Sequence, residues 1–156
     1  MSRAAVVLLS ALAGGAACTD VTNAPAGDPA AGLDENVFHC KVEPILLREC
    51  SFGACHGIAG AALRVYRPGL LRATPPATMD DAIMPLSTAE RHANFLSAAG
   101  FSGDDIAPDD NFLLRKPLPQ EQGGYEHFGG AIYVNGTDDA RYQTIHDWLN
   151  GGGSCP

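Results

Sequence analysis

The chain has little positive charge and no long hydrophobic run. Its 156 residues include 10 Lys and Arg against 18 Asp and Glu, which gives a formal net charge of −8. A basic surface is what holds a protein to nucleic acid or to anionic lipid headgroups, so this composition argues against both kinds of partner. The apolar stretch at residues 4–12 is shorter than the roughly 20 residues that a membrane-spanning helix needs. We therefore expect no membrane-spanning segment.

Motifs of several enzyme classes are also absent. The sequence has no nucleophile elbow, phosphate-binding loop, His-Glu-x-x-His zinc helix or EF-hand loop, so hydrolase and nucleotide chemistry have no support. Aromatic residues make up only 7% of the chain, whereas Gly (18) and Pro (11) are frequent. This length and composition predict one domain with a modest core and many loops.

The N-terminal segment resembles a bacterial export signal. Residues 1–17 carry one Arg, an apolar stretch and then small residues that end before Cys18, which is the layout of a signal peptide. The small residues are similar to a lipobox, so we expect Cys18 to be lipidated; the alternative is ordinary cleavage with Cys18 as a spare thiol. Residues 18–32 predict a flexible tether because they are mostly small and polar, and residues 33–156 then form the domain. The expected location is periplasmic or at the outer membrane, held by the lipid anchor.

Hydrophobic spacing and capping residues predict a mainly α fold with short extended segments and long loops. Residues 34–50 have helical spacing, but Pro44 removes an amide donor and predicts a kinked helix or two short ones. Ser87 and Glu90 predict a capping box at the start of a second helix, and Thr137 is the expected N-cap of a third. The faces expected to pack are Ala89, Ala93, Phe95, Leu96 and Ala99 in the second helix and Tyr142, Ile145, Trp148 and Leu149 in the third.

Residues 50–57, with the sequence CSFGACHG, place two cysteines and a histidine together. Covalent c-type heme attachment needs two thiols, here Cys50 and Cys55, and a histidine directly after the second thiol, here His56, to bind the iron. The usual spacing has two residues between the thiols, whereas this chain has four. Two other interpretations remain open at this point: a Cys50–Cys55 disulfide that closes a small loop, or a zinc site completed by another histidine.

Several segments, in the same order along the chain, resemble the planctomycete-type cytochrome c domain. In that family a "PIL" helix precedes a variant heme motif, and residues 42–46 (VEPIL) precede residues 50–57 here. Further similarity lies in residues 62–66, which resemble a short strand, and in residues 112–117, 124–130 and 142–151. The resemblance implies a small cytochrome c-like domain that holds heme c, with its iron, through Cys50 and Cys55, with His56 as the proximal ligand.

A heme iron bound on one face by His56 needs a second ligand or keeps an open face. His127 is the expected distal ligand, because the glycines on either side let its backbone approach the heme, and the resemblance points to the same residue. Met84 is the alternative ligand, and the other possibility for residues 125–127 is an exposed turn. The remaining candidates are weaker or are expected to have structural roles: Met79, His92, His39 and His146.

If heme takes Cys50 and Cys55 and lipid takes Cys18, two cysteines remain, Cys40 and Cys155, and we expect them to pair. Their disulfide would close a loop of more than a hundred residues and contribute on the order of 4 kcal/mol in the chain-entropy treatment. Without heme, the four cysteines that follow Cys18 allow three pairings, and the sequence does not choose among them.

Together these features predict an exported, membrane-anchored c-type monoheme electron-transfer protein without catalytic residues of its own. Its acidic surface favours a basic redox protein as partner. One alternative is a heme-free lipoprotein, stapled by disulfides, that serves as a binding or scaffolding module. The other is a five-coordinate heme that senses a gas or acts as a peroxidase through an open face.

Overall fold

The computed structural model describes residues 28, 30–102 and 106–156. Within these residues the chain forms short helices joined by long loops, and it forms no β-strand. The mainly α prediction is therefore confirmed. The expected signal peptide, Cys18 and most of the expected tether lie outside the described residues. No helix in the described ranges is long and apolar enough to cross a bilayer.

The helical elements follow one another with loops of very different length. In chain order they are α1 (Glu35–Val37), a π-helical turn (Phe38–Val42), α2 (Glu43–Glu49), α3 (Met79–Ile83), α4 (Thr88–Ala99), α5 (Phe112–Arg115) and α6 (Ala140–Leu149). Three 3₁₀ turns lie at Pro108–Asp110, Gln120–Gln122 and Gly136–Asp138. Helices α3 and α5 are too short to show hydrophobic periodicity, which is why the sequence pattern predicts neither.

The first helical segment is continuous from α1 to α2, with the π turn between them. Asp34 caps the segment, since its carboxylate accepts the backbone amides of Asn36 and Val37. Pro44, in the first turn of α2, has no amide hydrogen and its ring crowds the carbonyl of the preceding turn. The wider π turn lies directly before it, where a helix can absorb such a residue without ending.

Helix α4 begins where the capping box predicts, but its buried face differs from the prediction. The Ser87 hydroxyl accepts the Glu90 amide, and the Glu90 carboxylate accepts the Ser87 amide. Leu96 is 44% exposed, whereas the polar residues Glu90 and Asn94 are buried beside Phe95. Both polar side chains have hydrogen-bond partners on distant segments, and a pattern of apolar spacing cannot show such partners.

Helix α6 begins two residues later than predicted. Thr137 lies in the preceding 3₁₀ turn, and Asp139 is the N-cap, because its carboxylate accepts the Arg141 amide at 3.0 Å. The Arg141 guanidinium also donates to Asp139 at 2.8 and 2.7 Å, which favours this residue over Thr137 as the cap. The predicted apolar stripe faces the core, with Tyr142, Ile145 and Trp148 buried and Leu149 partly buried.

The core joins the first helical segment, α4 and α6. The rings of Phe38, Phe95 and Trp148 lie within 5.3 to 6.3 Å of one another, in tilted and edge-on arrangements that aromatic pairs prefer. In the loop that leads from α2 towards α3, Leu63 and Val65 are buried. This loop, which carries residues 50–57 on its first part, is therefore anchored on the same core.

A disulfide and a buried hydrogen bond fasten the C-terminal segment to the first helical segment. The structure contains the Cys40–Cys155 disulfide, with 5.9 Å between the Cα atoms and a sequence separation of 115. Nearby, the Trp148 indole Nε1 donates to the Asp34 carbonyl at 3.0 Å. These links hold together the two ends of a small, loop-rich domain.

Candidate functional site

A cavity of about 630 Å³ opens between the loop after α2 and the segments around α5 and residues 126–129. Most of its lining is apolar, and its volume is in the range of small-molecule and cofactor sites, about 300 to 1,000 Å³. Four predicted site residues line it together: Cys50, Cys55, His56 and His127. The structure therefore brings His127 to the Cys-His motif from a distant part of the chain.

Met84, the alternative ligand, is not part of this lining. It follows α3 as its C-cap and is 58% exposed. The Arg72 guanidinium donates to the Met84 carbonyl at 3.0 Å, and the same side chain is held by Glu90 on α4. The segment that carries Met84 is thus fastened to α4 and not to the cavity.

The loop that carries His56 is closed by backbone hydrogen bonds and by a close approach at a glycine. Cys50 ends α2, and its carbonyl accepts the His56 amide at 3.2 Å, while the Phe52 carbonyl accepts the Gly57 amide at 2.9 Å. A Cβ atom at Gly57 would overlap the Ser51 carbonyl oxygen. The loop can close in this way only with glycine at position 57.

The backbone fixes the tautomer of His56. Its Nδ1 lies 2.9 Å from the Leu63 carbonyl oxygen, and because a carbonyl only accepts, Nδ1 carries the hydrogen. Burial lowers the pKa of His56 from its ordinary value, and the nearby His127 ring adds to this, against the hydrogen bond to Leu63, which raises it. A neutral imidazole of this tautomer presents the Nε2 lone pair, which is the form that binds metals.

His127 has the same arrangement within a tight turn. Its Nδ1 lies 3.1 Å from the Gly130 carbonyl oxygen, and the Gly130 amide donates back to the His127 carbonyl at 2.8 Å. Gly130 has a positive φ of 71°, which glycine adopts at little cost. A Cβ atom at Gly129 would come within 2.9 Å of the His127 ring, so a larger residue there would displace the imidazole from this position.

The two imidazoles form a pair in the cavity. Their ring centroids are 6.0 Å apart, and the ring planes are within 15° of parallel. In each ring Nδ1 is bonded to a backbone carbonyl, which leaves Nε2 as the lone-pair nitrogen. Within the described part of the chain, no three His, Cys, Asp or Glu side chains converge as a metal held by protein alone would require.

Neither Cys50 nor Cys55 forms a disulfide with a described residue. Both thiols line the cavity, with Cys50 partly buried and Cys55 exposed. Burial raises the pKa of Cys50 to about 12, and the Glu49 carboxylate contributes in the same direction. Cys50 is therefore a protonated thiol at neutral pH. The loop-closing Cys50–Cys55 disulfide of the alternative interpretation is not formed in this structure.

Two features of the site carry no clear signal in the sequence. The first is the Leu63 carbonyl that orients His56, since any residue type supplies a carbonyl. The second is the pair of charged residues in the lining, Lys116 and Glu126, which lie in segments that resemble the family but for which the resemblance implies no role. The remaining histidines do not line the cavity: His39 and His92 contact Glu35, and His146 stacks beside Tyr142.

Comparison with known proteins gives no match. No protein-family model, no curated protein and no solved structure matches the chain.

Proposed function

We propose that this protein is an exported, membrane-anchored c-type monoheme electron carrier. The observation that supports this best is that Cys50, Cys55, His56 and His127 line the same cavity. Covalent heme attachment needs two thiols and a histidine that follows the second one, and low-spin electron transfer needs a second axial ligand. The resemblance of several segments to the planctomycete-type cytochrome c domain supports the same proposal.

The residues in the cavity fit a heme. Two histidines that shared one metal would have to lie close together in the same cavity, each with a ring nitrogen free to bind it. The observed separation of the His56 and His127 rings is 6.0 Å. Both Nδ1 hydrogens go to backbone carbonyls, which is the outer hydrogen bond that metal-binding histidines usually make. Both thiols are free of disulfides to described residues and are available for thioether bonds.

In this proposal each residue has a defined task. A heme held here would supply a one-electron iron couple. Cys50 and Cys55 would hold the porphyrin covalently, and His56 and His127 would bind the iron from its two faces. The apolar lining would surround the bound heme, and the Leu63 carbonyl keeps the His56 ring in its binding orientation. No side chain needs to act as a nucleophile or proton donor.

Export and partner choice belong to the same proposal. The N-terminal segment resembles a lipoprotein signal ending at Cys18, and the Cys40–Cys155 disulfide is typical of proteins in oxidising compartments. The net charge of −8 favours a basic redox protein as partner, with association that is faster at low ionic strength.

The test is an intact mass and a reduced-minus-oxidised spectrum of the full chain, co-expressed with a cytochrome c maturation system. We expect a mass gain of one heme and a sharp reduced α-band, both lost in Cys50→Ser/Cys55→Ser. Cys40→Ser/Cys155→Ser is the matched control, since it also removes two cysteines but none from the cavity, and it should keep the heme. An unmodified wild-type mass would overturn the proposal.

A second candidate function is a heme-free binding module. The observation that favours it is the largely apolar lining of the cavity, which suits a small apolar ligand without any cofactor. It predicts the unmodified mass in the same experiment, so one measurement separates the two functions.

A further inference from the structure

The cavity lining contains one ammonium group. Lys116 follows α5 directly, and its Nζ donates to the Glu126 backbone carbonyl at 3.1 Å. This bond holds the end of a flexible side chain at the cavity, although the residue as a whole is exposed. The only other Lys, Arg, Asp or Glu residue in the lining is Glu126.

The Lys116 ammonium has no carboxylate partner within the described residues. By contrast, Arg72, Arg91, Arg115 and Arg141 each form an ion pair with a carboxylate. An ammonium offers three donors, and a single backbone carbonyl accepts one of them here. The remaining donors are free for an anionic group that enters the cavity.

We propose that Lys116 pairs with a propionate carboxylate of the bound heme. This inference rests on the proposed function. The two propionates are the ionised groups at the edge of an otherwise apolar porphyrin, and a carboxylate at the mouth of an apolar cavity is stabilised by a cation within hydrogen-bond reach. Lys116 is the one cation in the lining, so it is the residue that would set which edge of the heme faces the outside.

Glu126 acts in the opposite sense. Glu126 also lines the cavity, and a carboxylate there would repel a propionate, while its backbone carbonyl accepts from Lys116. The ammonium would offset this repulsion, which makes its charge important at this edge.

The first experiment is zero-length cross-linking of the wild-type holoprotein. A carbodiimide activates a carboxylate and joins it to a contacting amine as an amide, with net loss of one water taken up by the reagent. The chain has only two lysines, Lys41 and Lys116, and Lys41 lies exposed on the π turn and does not line the cavity. After digestion, we expect the heme peptide with residues 50–56 to be joined through a propionate to the peptide containing Lys116.

A heme peptide with no link to Lys116, or one linked to Lys41 instead, would overturn the inference. Lys116→Arg is the specificity control, because a guanidinium keeps the charge but does not form the amide. Failure of the proposed function looks different, since the wild-type chain would then carry no heme peptide at all.

A second measurement covers the energetics of the same contact. A positive charge near the heme stabilises the reduced iron, which carries one positive charge less than the oxidised iron. Removing that charge in Lys116→Gln should therefore lower the reduction potential, and Lys116→Arg, which keeps the charge, should preserve it. Lys41→Gln removes the same charge at a remote position and should leave the potential unchanged. Equal potentials for Lys116→Gln and wild type would contradict the pairing.

Discussion

The imidazole rings of His56 and His127 lie side by side in the cavity, with centroids 6.0 Å apart and planes within 15° of parallel. Neither ring is oriented by a side chain, because Leu63 and Gly130 accept the two Nδ1 hydrogens through their backbone carbonyls. The pair is thus set by the folding of two loops, one after α2 and one before α6. This relationship leads to the first prediction.

Replacing His127 should change the ligation of the iron. In the His127→Ala holoprotein we expect the sharp low-spin α-band to be lost and carbon monoxide to bind to the reduced iron, because one face is then open. The measurement is the visible spectrum of the reduced protein with and without carbon monoxide.

Met84→Ala is the matched control, since Met84 lies outside the cavity and should leave the spectrum unchanged. A spectrum that His127→Ala does not alter would contradict bis-histidine ligation and favour a five-coordinate heme. Loss of the low-spin band in Met84→Ala would instead identify Met84 as the ligand.

Gly57→Ala should destabilise the loop that carries His56. The added Cβ atom would overlap the Ser51 carbonyl oxygen, and overpacking against backbone costs about 1 to 3 kcal/mol. We expect a lower free energy of unfolding in urea and a smaller fraction of chains that carry heme. Gly60→Ala is the control, because nothing lies within 4 Å of its Cβ position. Equal stability of the two variants would show that the loop can close without glycine at position 57.

Removing the disulfide should lower stability without affecting the cavity. Cys40 and Cys155 are 115 residues apart, and opening a loop of this length costs about 5 kcal/mol in the chain-entropy treatment. Urea unfolding of Cys40→Ser/Cys155→Ser and wild type gives the difference, and the heme content of both should be the same. Loss of heme in this variant would contradict the separation between the disulfide and the site.

The ion pair between Arg72 and Glu90 should make stability depend on pH. Hydrogen bonds from the Arg72 guanidinium lower the pKa of Glu90 to about 2 from its ordinary 4.5, and the backbone amides of Ala73 and Ser87 act in the same direction against burial. A carboxylate whose pKa is lowered by folding contributes stability above its unfolded pKa, and this contribution is lost as the pH falls through the folded pKa.

We therefore expect Glu90→Gln to lose about 3 kcal/mol at pH 7, since Arg72 then keeps only backbone carbonyl acceptors and no carboxylate. The difference from wild type should shrink between pH 4.5 and pH 2, as measured by urea unfolding across this range. Glu121→Gln changes an exposed carboxylate in a 3₁₀ turn and serves as the control. A difference that stays constant over the pH range would contradict the role of the ion pair.

Local sequence rules predicted those parts of the fold that depend on neighbours in the chain. The capping box of Ser87 and Glu90 fixes the start of α4, because its hydrogen bonds join residues three positions apart. The apolar stripe of α6 is buried as its spacing predicts. The expected N-cap of α6, Thr137, was wrong, because the cap is Asp139, whose carboxylate also contacts the Arg141 guanidinium.

The sequence by itself determined that Cys50, Cys55 and His56 lie close together, since all three fall within residues 50–56. Only the tertiary structure decided that His127, and not Met84, enters the same cavity. It also decided that Glu90 and Asn94 are buried, although both are polar. The physical reason is the same in each case: these positions depend on hydrogen bonds and packing between segments far apart in sequence, and periodicity and capping act only over one or two turns.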